Sequence, residues 1–201
     1  MISPITARSI IQKELMRQPN ALKKLRIVAL REVEVEIKKI QREMISEFEN
    51  HPITRELEMG PGGQNISGTL GGKGNLFTFI GFSKNEKPTS IIKEYLMNIQ
   101  VLYKRMEKGR FMFDIIYPSR EELFDVTPMP WASGRSWLKG IELGMSGLGN
   151  YLYKEGKSIN GSRSGPAIQT RGKINPGKFS NTSYISKICL LYTSPSPRDL
   201  P

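Results

Sequence analysis

"PNALKKLRIVALREVEVEIKKIQREMISEFEN", residues 19–50, decides the fold class. Leu22, Leu25, Ala29, Val33, Ile37, Ile40, Met44 and Phe48 recur in it at spacings of three and four. That spacing stacks side chains into one continuous stripe along a helix. Glu34 and Lys38, four apart on another face, form a favourable pair. The inner stretch "REVEVEIK" (31–38) also alternates with period two, which would suit a strand. The longer stripe outweighs that local alternation, so the segment reads as one helix with Asn20 as its cap. A helix of about 30 residues is about 45 Å long, so it must lie along a sheet or against a partner. "NHPI" (50–53) ends it at Asn50, because Pro52 biases His51 away from helical dihedrals. On the N-terminal side, Ser3 and Pro4 open a short helix over 4–18 that Pro19 closes.

Beyond the long helix, residues 60–74 read as a loop rich in glycine, with Lys73 near its end. "LFTFIGF" (76–82) reads as a strand, being aromatic and β-branched. After Pro88, "TSIIKEYLMNI" (89–99) reads as a short amphipathic helix. "QVLYKRM" and "RFMFDIIYP" flank "EKG", a hairpin with Gly109 at its turn. Ser119 and Glu122 match a capping box for one short helix, which "TPMPW" stops. Within 131–153, Trp137, Ile141, Met145, Leu148 and Leu152 share one helical face, which predicts a further helix. Gly140 and Gly144 weaken that prediction, and a glycine-punctuated strand and loop is the alternative.

Four kinds of chemistry find no support. A phosphate-binding P-loop needs Gly, four residues, then Gly-Lys and Ser or Thr. Gly72-Lys73 supplies the second half, but Ser67 and Gly74 stand where the first glycine and the hydroxyl belong. A P-loop also opens a helix, whereas these glycines lead into an expected strand. They are therefore read as supplying backbone freedom. The single histidine, His51, rules out a histidine-rich zinc site and lacks a nucleophile elbow; at a helix end it would favour the dipole. The carboxylates at Glu32, Glu34, Glu36, Glu43 and Glu47 alternate with lysine and arginine, the pattern of a solvated helix surface. Glu121 and Glu122 fit the start of a helix. Neither a cofactor nor an enzymatic activity is expected.

The chain of 201 residues carries a net charge of +11, which suits an anionic partner. Residues 154–188 hold seven basic residues against Glu155 alone and are rich in Gly, Ser and Asn, so they read as a basic arm or edge segment. Arg163, Arg171 and Lys173 in it are candidate phosphate contacts. Phe77 and Phe79, on one face of the expected strand, are candidates for base stacking or, more simply, for the core. Residues 1–20 lack the apolar run of a signal peptide, and no stretch reaches the roughly 20 apolar residues of a membrane helix. One cysteine, Cys189, excludes an internal disulfide framework, so a soluble chain made in a reducing cytosol is expected. The final stretch "CLLYTSPSPRDLP" (189–201) resembles a translated sequencing adapter and is set apart from the fold.

Two stretches carry a family resemblance. "HPITRELEMGPGGQNISGTLGGKGNLFTFIGF" (51–82) is one; "PMPWASGRSWLKGIELGMSGLGNYLYKE" (128–155), followed by "SRSGPAIQ" (162–169), is the other. Together they resemble virion structural proteins of contractile-tailed, cyanophage-like bacteriophages, of the head–tail connector and tail-completion kind. The resemblance implies a non-enzymatic protein of the virion, made in the host cytoplasm. It would assemble into a homo-oligomeric ring with other virion proteins, touch DNA through non-specific phosphate contacts, and need no membrane. Gly74, Asn75, Trp131 and Trp137 are the candidate assembly contacts, although both tryptophans also suit an ordinary core. The alternative is a nucleic-acid-binding accessory protein that uses the basic arm. The expected fold is α+β: a long N-terminal helix packed on a small antiparallel sheet, with a glycine-rich loop and a basic C-terminal arm. Residues 1–153 would form the structural domain, 154–188 the arm and 189–201 the tail.

Overall fold

The computed structural model describes residues 14, 17–71, 74–130, 132–144, 161–162, 165–168 and 182–193. The fold is α+β. Its longest element, α1 (Pro19–Asn50), follows the predicted helix, with Pro19 as its first residue and Asn20 inside it. A proline fits there because the first helical N–H has no intrahelical acceptor to lose. Then come α2 (Pro52–Glu58), a 3₁₀ turn (Gly60–Gly62), α3 (Leu76–Ile80) and α4 (Pro88–Leu96). The hairpin β1 (Gln100–Glu107) and β2 (Arg110–Ile116) precedes α5 (Arg120–Asp125), β3 (Pro128–Met129), β4 (Ala132–Ser136) and α6 (Trp137–Leu143). The short strands β5 (Gly161–Ser162) and β6 (Gly165–Ile168) pair with each other, and α7 (Ile185–Thr193) follows, continuing across Cys189. The expected helix over 4–18 falls mostly outside the described residues.

Two expectations need correction. "LFTFIGF" is not a strand: Leu76–Ile80 is a helix. The Asn75 side chain accepts from the Thr78 amide at its start, and Gly81, at φ 90°, ends it in the left-handed region. Phe77 and Phe79 therefore do not share a strand face; Phe77 is in the core and Phe79 is half-buried. The predicted helix over 131–153 is shorter in its described part, where strand β4 leads into α6 with Ser136 as the cap.

Contacts divide the chain into two units, Met1–Arg42 with Asn98–Tyr117, and Glu43–Met97 with Pro118–Pro201. In the first, β1 and β2 pair antiparallel around Lys108 and Gly109, whose φ values of 48° and 78° fit a type I′ turn. The register slips by one residue at Lys104, a bulge confined to β1. One face of the hairpin carries Val101, Tyr103, Met106, Phe111 and Phe113, all half-buried. The Arg26 guanidinium of α1 lies 4.9 Å from the Tyr103 ring centre.

The second unit holds the core. Every apolar side chain buried among the described residues lies in it, among them Phe48, Leu57, Leu76, Phe77, Ile92 and Trp137. Ser119 and Glu122 form the expected capping box on α5. Tyr184, Ile185 and Ile188 are also core residues, so this end of the expected arm is built into the unit. Tyr184 stacks on Phe48 and packs at a tilt against His51, and its hydroxyl pairs with that of Thr54. Glu142 accepts from the amide and hydroxyl of Ser186, which holds the first turn of α7.

Candidate functional site

The glycine-rich loop closes around a carboxylate of the chain itself. Glu56, on α2 between Ile53 and Leu57, is fully buried. Its Oε1 accepts from the Leu76 amide at 2.6 Å and from Asn65 Nδ2 at 2.9 Å. Its Oε2 accepts from the Ser67 amide at 2.9 Å and again from Asn65 Nδ2, at 3.1 Å. Asn65 Oδ1 in turn accepts from the Leu70 amide at 3.0 Å, and the Ser67 and Thr69 hydroxyls bond to each other. Among the described residues Glu56 makes no ion pair, so amides alone offset its burial.

The loop does open a helix, contrary to expectation, and Leu76 is that helix's first residue. The place where a P-loop would present amides to a phosphate is filled by Glu56. Gly74, at φ 66° with open space where a Cβ would sit, supplies the left-handed turn into the helix. The expectation that these glycines serve backbone freedom holds at this position.

Asn75 is not a surface contact: only 4% exposed, it is consumed by structure. Its Nδ2 donates to the Pro61 and Gly63 carbonyls, and its Oδ1 accepts from the Thr78 amide at 2.8 Å. Trp137, 2% exposed and edge-on to Phe82, lies in the core, the ordinary placement that the sequence also allowed. It floors an open groove of about 400 Å³ between Phe82, Pro88, Ile91, Met129 and Pro130. Trp131, Arg163, Arg171 and Lys173 lie outside the described residues.

His51 does not serve the preceding helix's dipole as expected. Its Nδ1 accepts from the Ile53 amide and caps α2 instead. Burial, and then the nearby Lys187, hold its pKa below the ordinary imidazole value. Among the described residues no three His, Cys, Asp or Glu side chains gather as metal ligands do, and no helix is long and apolar enough to cross a membrane.

The first unit is the opposite of this sealed interior. Leu25, Ile27, Val28 and Val35 of α1 are exposed, as are Leu102, Met112, Ile115, Ile116 and Tyr117 of the hairpin region. These nine are the majority of the thirteen large apolar side chains exposed among the described residues. At about half exposure each, they leave more large apolar side chains in water than the rest of the described chain does. This surface was not foreseen; its only trace in the sequence is Ile27, Val28 and Val35 lying off the helix stripe. No family model matches the chain, and neither a curated protein nor a solved structure matches it.

Proposed function

We propose that the chain is a non-enzymatic virion structural protein of a contractile-tailed phage, at the head–tail junction or tail terminus, acting by oligomeric assembly. The location rests on the sequence resemblance carried by residues 51–82, 128–155 and 162–169. The assembly role rests on one observation: the first unit has no buried apolar residue among those described, yet carries most of the exposed ones. A small unit that buries so little is poorly stabilised alone and gains from a protein neighbour. The self-filled glycine loop favours a structural over a phosphate-transfer role.

Light scattering on the full chain, at low and high salt, tests this. A closed oligomer of defined mass, visible as a ring by electron microscopy, supports assembly. A monomer that binds DNA with a steep salt dependence overturns it in favour of the nucleic-acid accessory role.

A further inference from the structure

The first unit contains one edge whose sequence matches itself. β2 is regular along its length, whereas β1 carries the bulge at Lys104. Among the described residues the hairpin is a two-stranded sheet, so no third strand covers either edge. The two-residue turn makes Glu107 and Arg110 a hydrogen-bonded pair, and main-chain groups then alternate in direction along β2. The N–H and C=O of Phe111, Phe113 and Ile115 therefore point away from β1.

We infer that β2 pairs antiparallel with β2 of a second copy, about a two-fold axis at Met112. In that register Arg110 faces Asp114 of the second copy, Phe111 faces Phe113, and Met112 faces itself. The two-fold axis repeats each pair, which gives two ion pairs and two aromatic pairs at one seam. The outward main-chain groups of Phe111 and Phe113 meet as a hydrogen-bonded pair, so the backbone parity agrees with the side chains. Centring the axis on Arg110 or on Asp114 instead would set like charges against each other. Asp114 Oδ1 takes Lys104 within the hairpin, and its other oxygen can take the incoming guanidinium. The result is a four-stranded sheet in place of two marginal ribbons. This pairing deepens the assembly role but closes at two copies; a ring needs a different, head-to-tail contact.

The test uses the full chain and four variants on exposed side chains. Arg110→Asp and Asp114→Arg should each weaken the dimer about tenfold or more, since each sets like charges opposite one another twice. Mixing these two variants should restore a dimer, because every facing pair is again opposite in sign. Met112→Cys, in a Cys189→Ser background, should form an intermolecular disulfide on mild oxidation, because facing residues of a non-hydrogen-bonded pair lie about 4.5 Å apart. Leu102→Cys, on β1, should not. A wild-type monomer, failure of the mixture to associate, or equal cross-linking at both positions overturns the pairing. A ring that persists unchanged in Arg110→Asp overturns it while leaving assembly intact.

Discussion

Glu56→Gln keeps the side chain's shape and removes its charge and half of its accepting capacity. The carboxylate receives the Leu76 and Ser67 amides on different oxygens, with Asn65 Nδ2 bridging both. A glutamine has one carbonyl oxygen, so it can accept from only one of those amides. Its NH₂ then meets the other N–H, leaving a buried donor unsatisfied at about 1–3 kcal/mol. The surviving bond also loses its charge assistance. The expected loss is therefore about 2–4 kcal/mol in chemical denaturation. For a chain of this size that lowers the Tm by roughly 5–15 °C. Hydrogen exchange locates the effect: protection should fall at Ser67 and Leu76, whereas the β1–β2 amides should not change. A variant within about 0.5 kcal/mol of wild type, with both amides still protected, refutes the view that Glu56 organises the loop.

Four further outcomes follow from the same structure. Tyr184→Phe strands the buried Thr54 hydroxyl and should cost about 1–2 kcal/mol by denaturant titration. Gly74→Ala meets no neighbour, so only its left-handed backbone is penalised, by about 1–2 kcal/mol in the same titration. The pKa of His51 is lowered on folding, so below pH 6.5 the unfolded chain takes up the proton first and stability falls as pH drops toward the folded value. His51→Asn keeps a capping side chain and should flatten that acid-side decline in pH-dependent melts. Burial pushes the Cys189 thiol up to about 11, so at pH 8 its alkylation in the folded protein should be much slower than in denaturant, followed by mass spectrometry.

The long helix was legible because its stripe runs unbroken from Leu22 to Phe48, and Pro52 marks its end without ambiguity. The β1–β2 hairpin and the Ser119 box were legible because turn and cap chemistry are local. The segment 76–82 misled because Leu76, Phe77, Thr78 and Ile80 are all buried, and a helix covered on all sides loses its period. Asn75 and Gly81, the cap and the stop of this helix, are local signals that the strand reading did not use. Glu56 could have been found: it stands among the apolar positions Ile53 and Leu57, where a carboxylate must have dedicated donors, and Asn, Ser and Thr crowd the loop that follows. The self-match of β2 becomes visible only once the turn fixes which backbone groups face outward.

The insertion of Tyr184 between Phe48, His51 and Thr54 has a consequence for biosynthesis. The interior of the second unit needs a residue 130 positions after Thr54 in the chain. During translation Phe48 and Thr54 emerge early and wait for a ring still to be polymerised. At about 5–20 residues per second that delay lasts on the order of ten seconds, on top of the ribosomal tunnel's own length. The first unit's hairpin pairs residues near one another and can form while the rest is being made. Its exposed apolar surface is thus presented to neighbouring nascent chains before the second unit can close.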